Sequence, residues 1–162
     1  MFNLLEVVVF KVQSNEKVLE RYNVMSLKLA TEFATSLDNC QFDNASKVLA
    51  EHCKYHYSEG NYEGRENIIS LYRQNDLLSK KVVDEIIYSS NVEDIGKGDY
   101  KINFVDKIRK GHRWHEHRFY EIVTLADNLI INIEHCDIPG EKESLRMFFS
   151  RPSSTSALSN LQ

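Results

Sequence analysis

Two strand-like segments near the C-terminus carry the residues best suited to chemistry. The first contains His117, and the second contains His135 and Asp137. Apolar and polar residues alternate in both segments, and the connection between them is short, which predicts an antiparallel hairpin. Imidazole and carboxylate groups that meet in a dry pocket can exchange a proton near neutral pH. We therefore expect acid–base chemistry where these strands pair.

The register of this hairpin decides which ionisable groups meet. A one-residue slip turns every side chain of a strand to the other face of the sheet. A three-residue loop, residues 126–128, keeps the apolar residues together, so we predict that register, with His117 opposite Asp137 and Phe119 opposite His135. One face of the hairpin should then hold an apolar wall and an ionisable cluster: His115, His117, Phe119, Glu121, Val123, Leu125, Leu129, Ile131, Ile133, His135 and Asp137.

Proton transfer is assigned to three residues of this face, Asp137, His117 and His135. Opposed residues in an antiparallel pair are about 5 Å apart between Cα atoms, so their side chains can form hydrogen bonds. A structural His–Asp pair at the rim of the sheet is the competing interpretation, because structural pairs also perturb pKa values. The residues predicted to contact substrate are Tyr57, His115, Phe119, Glu121 and Phe33.

A metal site is an alternative use of the same histidines. His115 and His117 share one strand face, and His135 on the next strand supplies a third imidazole, as in three-histidine zinc sites. Such spacings also arise by chance in a chain with six histidines, so we expect no metal and no other cofactor. The three cysteines form no C-x-x-C pair, which argues against a zinc ribbon or a disulfide framework and favours a cytoplasmic protein.

The elements that position these residues are helical in the first half of the chain and extended in the second. Helices are predicted at 26–37, after Asp43 or Asn44, and from about Gly64. Strands are predicted at 53–58, 82–90, 100–110, 113–125 and 129–137, with a strand or short helix at 144–149. This order predicts an α+β domain in which a strongly curved antiparallel or mixed β-sheet forms a conical cup and three N-terminal helices pack across its open face.

Length and composition constrain the remaining organisation. We predict one domain at 25–150, a peripheral N-terminal extension at 1–24 and a disordered tail at 151–162. The apolar run at 4–10 suits an edge strand or a docked helix; it is too short to span a membrane and lacks the features of a secretory signal. The net charge of −4 argues against binding to nucleic acid or to an anionic membrane.

An apolar outer sheet face predicts a homodimer, since such a face is usually covered and a two-fold partner is the commonest cover. The residues predicted on that face are Trp114, Tyr120, Ile122 and Ile130.

The order of motifs resembles the nuclear transport factor 2-like superfamily, and within it the SnoaL-like polyketide cyclases, over residues 26–150. The resemblance rests on four segments: Phe42-Asp43 through His52, Tyr55-His56-Tyr57, Tyr62 through Ile68, and the hairpin from Ala126 to Asp137. The third segment contains the Gly-Arg-Glu-x-Ile motif at the start of a helix. The resemblance implies an acid–base role for Asp137 and a neighbouring-strand histidine at His117. Asp127-Asn128 stands where the family usually has Asp-Gly, and Cys136 stands where it usually has Trp.

Together these observations predict a cofactor-free lyase, isomerase, cyclase or hydrolase that acts on a hydrophobic small molecule. Two alternatives stay open: a non-catalytic ligand-binding or dimeric assembly module, and a metal-dependent enzyme that uses His115, His117 and His135.

Overall fold

A computed structural model describes the chain from residue 4 to residue 150, and side chains from residue 18 onward except for residues 19 and 22. The tail predicted at 151–162 lies outside the described residues. Within the described range no helix combines the length and the apolar character needed to cross a lipid bilayer. The elements are α1 (Leu4–Asp38), α2 (Phe42–Lys47), β1 (Leu49–Tyr57), β2 (Gly60–Glu63), α3 (Arg65–Val82), β3 (Glu85–Gly96), β4 (Asp99–Lys110), β5 (Arg113–Ala126), β6 (Leu129–Asp137) and α4 (Glu141–Ser150).

The six strands form one curved mixed sheet in the order β2-β1-β6-β5-β4-β3. Every neighbouring pair is antiparallel except β1 and β6, which run parallel. Helix α1 packs on β3 and β4, α3 packs on β1, and α4 packs on β5. The predicted α+β class, with three N-terminal helices across a curved sheet, is confirmed, and α4 adds a fourth helix at the C-terminal end.

The core lies between these helices and the concave face of the sheet. On α1 the apolar residues recur at the spacing of one helical face, so Ala30, Phe33 and Ala34 are buried together. They meet alternate residues of the strands, which point to the same face because the side-chain period of a strand is two. The strand residues that are fully buried in this core are Leu49, Cys53, Ile102, Val123, Ile130 and Ile133.

Several predicted boundaries differ from the structure; β1, for example, begins at Leu49 rather than at residue 53. The apolar segment at 4–10 is helical and continuous with α1, so the edge-strand alternative is wrong. The strand predicted from Val82 begins at Glu85, because α3 continues to Val82 with lysines in its last turn, where cations favour the helix end.

The hairpin between β5 and β6 differs from the predicted one in its loop length and in its register. Its loop has two residues, Asp127 and Asn128, with φ of +50° and +60°, the left-handed values typical of a type I′ turn. Ala126 pairs with Leu129, and a β-bulge then leaves Ile131 without a partner. The predicted three-residue loop is therefore wrong, since the extra residue lies in the strand rather than in the loop.

The bulge changes which side chains face the core. Ile130 is fully buried, although we predicted it on the outer face, and Ile131 is exposed, although we predicted it on the inner face. Beyond the bulge, His135 lies opposite Glu121 and Asp137 lies opposite Phe119. The inward orientation of Glu121, Val123 and Ile133 is as predicted.

Truncation of two isoleucines on β6 tests this register. Ile133 is 0% exposed and Ile131 is 40% exposed. Ile133→Ala should lower the free energy of unfolding by about 2–5 kcal/mol, because it leaves a cavity in the core. Ile131→Ala is the matched control and should cost less than about 1 kcal/mol. Urea denaturation measures both values, and equal losses would contradict the bulge and support the three-residue loop.

Candidate active site

A cavity of about 350 Å³ lies between the concave face of the sheet and the helices. Most of its wall is aromatic or aliphatic, which suits an apolar ligand. The aromatic residues of the wall are Phe42, Tyr55, Tyr57, Tyr72, Tyr88, Phe104, Phe119 and Phe149. The carboxylates of the wall are Asp38, Asp76, Asp106, Glu121 and Asp137.

Glu121 places a carboxylate at the floor of this cavity, with only 1% of the residue exposed. The hydroxyl of Tyr72 on α3 donates a hydrogen bond to Oε2 at 2.8 Å, and that of Tyr55 on β1 donates to Oε1 at 3.3 Å. Burial, and then the charge of Glu121, raises the pKa of both tyrosines, so both hydroxyls keep their protons. Two donors thus compensate the desolvation of a buried acid.

His135 connects Glu121 to a second acid. Its Nδ1 lies 3.5 Å from Oε1 of Glu121, and its Nε2 lies 3.3 Å from Oδ1 of Asp137. Burial alone would lower the pKa of His135, but Glu121 and then Asp137 outweigh burial and raise it. The ring is fixed by an edge contact with Tyr57 and by stacking on Phe119, each at 4.9 Å between centroids.

Lys142 on α4 contacts Asp137 and is the last residue in this series of contacts along the cavity wall. Its Nζ lies 2.7 Å from Oδ2 of Asp137 and 3.4 Å from the hydroxyl of Tyr57. Burial raises the pKa of Asp137, but Lys142 and then His135 outweigh burial and lower it. Acidic and basic side chains thus alternate along a series of contacts that runs from the buried Glu121 through His135 and Asp137 to Lys142.

Asp106 on β4 is an acid whose pKa is raised, in contrast to that of Asp137. It points to the same face as Phe104 and Ile108, and it lines the cavity. Burial, and then the charge of Asp38, raises the pKa of Asp106 to about 7. Burial also raises the pKa of Asp38, although a 2.7 Å hydrogen bond from Ser90 opposes the effect. Near neutral pH, Asp106 can therefore both give and take a proton.

Six of the predicted site residues line the cavity: Tyr57, His117, Phe119, Glu121, His135 and Asp137. Phe33 does not belong to the lining and is fully buried in the core, where its ring contacts Tyr72. His115 is also outside the lining, and its ring stacks on Phe148 of α4. The roles assigned to the lining residues stay predictions.

The predicted opposition of His117 and Asp137 is wrong. His117 lies opposite Asp106 across β4 and β5, and its Nδ1 is 3.7 Å from Oε2 of Glu141. The hydrogen-bond partner of Asp137 on the histidine side is His135. The shorter loop and the bulge in β6 each shift the register by one residue, so Asp137 lies opposite Phe119, two residues along β5 from His117.

Several residues of the site were missed from the sequence. Asp106 was detectable, because it lies in phase with Phe104 and Ile108 in an alternating strand. Tyr55 was detectable in the same way, two residues before Tyr57. Lys142 carried no signal, because it belongs to a helix whose docking against the sheet no local pattern describes.

The fold is shared with solved structures of low sequence identity. No family model and no curated protein matches this sequence. A LEH-like epoxide hydrolase from M. tuberculosis is similar at a TM-score of 0.57 and 14% identity, over 76% of this chain and 91% of that chain. TerC, co-crystallised with polyporic acid, is similar at a TM-score of 0.60 and 6% identity, over 78% of this chain and 99% of that chain.

A de novo designed protein with a curved β-sheet is also similar, at a TM-score of 0.53 and 17% identity, over 76% of this chain and 94% of that chain. At such identities the similarity establishes architecture and leaves the chemistry to the site itself. The described chain has the conical α+β fold of the nuclear transport factor 2-like and SnoaL-like proteins that its sequence motifs resemble.

Proposed function

We propose that this protein is an enzyme that transfers protons to and from an uncharged, largely apolar small molecule bound in the cavity. The observation that carries the proposal is the placement of two separate acid groups on one concave, mostly apolar surface: Asp106 on β4, and the pair of His135 and Asp137 on β6. Reactions of the lyase, isomerase, cyclase or hydrolase type need such a pair of groups, one to accept a proton and one to donate it.

The spacing of the two groups suits one small organic molecule. β5 lies between β4 and β6, so Asp106 and Asp137 are separated by two strand spacings, roughly 10 Å across the sheet. Phe119 on β5 lies opposite both Phe104 and Asp137, and its ring stacks on Phe104 at 5.1 Å. Asp106 lies opposite His117 on the same strand, so a ligand placed over His117 and Phe119 would lie between the two acid groups.

Their environments favour different protonation states, which supports a division of roles. Asp106 has a pKa of about 7 because of burial and of Asp38, so it can act as a general acid. Asp137 is ionised, because Lys142 and His135 outweigh burial and lower its pKa. A neutral acid beside an ionised one is the arrangement that lets a single site protonate one atom while it stabilises charge at another.

The proposal keeps Asp137 and His135 from the sequence analysis and replaces the pairing of His117 with Asp137. The neighbouring fold relatives include a LEH-like epoxide hydrolase and TerC co-crystallised with polyporic acid, which is consistent with small-molecule chemistry in such a cup. A non-catalytic ligand-binding module is the competing function, and it predicts binding without turnover.

The stability of Asp106→Asn as a function of pH tests the acid without any substrate. Above pH 4 the unfolded chain releases the proton of Asp106, whereas the folded protein keeps it until about pH 7. The ionisable neighbours of Asp106 are Asp38 from α1, Tyr88 from β3 and His117 from β5. Asparagine cannot ionise, so the variant should match wild type near pH 4 and exceed it at pH 8.

At about 1.4 kcal/mol per pKa unit, the gain at pH 8 should reach up to about 4 kcal/mol. Urea denaturation at several pH values measures it. Asp94→Asn, at an exposed position of β3, is the matched control for the same change of side chain outside the cavity. A gain that is the same at pH 4 and pH 8 would show that Asp106 ionises normally.

Turnover of probe substrates tests the roles directly. Suitable probes are cyclohexene oxide, for hydrolysis, and a β,γ-unsaturated cyclohexenone, for isomerisation. For a probe that the wild type converts, Asp106→Asn and Asp137→Asn should each lower the rate by about 10²- to 10⁴-fold, since general acid–base groups contribute that much. His56→Gln, at an exposed position of β1, should leave the rate unchanged. Full rates in both aspartate variants would refute the assignment.

The charge of the lining predicts ligand selectivity. Of the described residues, five carboxylates line the cavity, whereas Lys142 is the one lysine or arginine in the lining. Anionic ligands should therefore bind more weakly than neutral ones of the same shape, by at least about tenfold, or 1.4 kcal/mol. Titration calorimetry with naphthalenemethanol and naphthoate compares such a pair. Tighter binding of naphthoate would contradict the proposed substrate class.

A further inference from the structure

We infer that His115, His117 and Glu141 form a binding site for a first-row divalent metal ion of the zinc or iron type, at the edge of the cavity. This inference goes beyond the proposed function, because it involves neither Asp106 nor the pair of His135 and Asp137. It also differs from the three-histidine set considered from the sequence, since Glu141 replaces His135.

The geometry brings three ligand atoms together. One ligand atom from each of the three residues lies within 4.8 Å of the other two, and Nδ1 of His117 is 3.7 Å from Oε2 of Glu141. His115 and His117 are two residues apart on β5 and share one face, and α4 carries Glu141 over that face. In a tetrahedral site with bonds of about 2.1 Å the ligand atoms are roughly 3.4 Å apart, so small side-chain rotations would close this site.

Two ring nitrogens of this cluster have unmet bonding capacity. Nε2 of His115 and Nδ1 of His117 are buried, and neither has a hydrogen-bond partner among the described residues. An unsatisfied buried polar atom costs about 1–3 kcal/mol. A metal ion between the rings and the carboxylate would provide the missing partner for both nitrogens.

The surroundings hold the ligands in place. The backbone N–H of Arg118 donates a hydrogen bond of 2.9 Å to Oε2 of Glu141. The ring of His115 stacks on buried Phe148 at 5.2 Å with an interplanar angle of 21°. Contacts around metal ligands orient them, and the loss of such a contact typically lowers metal affinity about 10- to 100-fold.

The donor types indicate the kind of metal and its accessibility. Two imidazoles and one carboxylate favour zinc, iron or cobalt over calcium and magnesium, which prefer oxygen ligands. Three protein ligands leave at least one coordination position open. Because His117 also lines the cavity, an open position would be accessible to a bound small molecule. From the sequence we expected no metal; the position of Glu141, which the sequence did not reveal, changes that expectation.

Metal titration of the untagged full chain tests the inference. After treatment with a chelator, the wild type should bind about one equivalent of Co²⁺ with visible ligand-field absorption, and zinc should displace it. Zinc should also raise the melting temperature. His117→Gln and Glu141→Gln should each weaken binding by at least about tenfold, with unchanged circular dichroism. His52→Gln, at an exposed position, is the control and should bind as the wild type does.

His135→Gln separates the two candidate ligand sets and should retain full metal binding. Loss of the metal in His135→Gln, with retention in Glu141→Gln, would support the three-histidine set and overturn ours. Absence of binding at micromolar cobalt and zinc, or binding unaffected by both His117→Gln and Glu141→Gln, would overturn the site altogether. If His117→Gln does not fold, Glu141→Gln decides alone. Turnover assays of Asp106→Asn in the presence of chelator test the proposed function separately.

Discussion

The buried carboxyl group of Glu121 is the constraint on which the cavity depends. A carboxyl group removed from water must find compensating polar partners inside the protein. Those partners come from three different elements: Tyr55 from β1, Tyr72 from α3 and His135 from β6. One side chain on β5 therefore links helix α3 to β6 and to β1, the strand beyond β6. The side chains of all four residues line the cavity.

Two aspartates of this protein show how far their surroundings can separate the pKa values of chemically identical groups. Asp106 is buried and approached by Asp38, and it keeps its proton up to about pH 7. Asp137 is contacted by Lys142 and His135, and it gives up its proton more readily than a free aspartate. The sequence shows two aspartates on two strands, and only their neighbours in space distinguish them.

Physical reasons at particular residues explain which parts of the structure could be predicted from the sequence. Alternation in β5 placed Glu121 and Val123 on the inner face, because a strand period of two leaves no other choice once the apolar set is known. The register of β6 was wrong because a two-residue loop with a bulge at Ile131 buries the apolar set as well as a three-residue loop would. Glu141 and Lys142 were missed because helix docking is a long-range event.

The parallel pairing of β1 with β6 has a consequence for how the chain folds. Leu49 pairs with Ile130, and Tyr55 pairs with Ile133, so these contacts join residues from opposite ends of the domain. Such contacts close long loops and form late, because their entropy cost precedes any gain from packing. During synthesis, α1, α2 and β1 leave the ribosome well before β6 exists. The edge of β1 that pairs with β6 must therefore stay unpaired until the last strand is made.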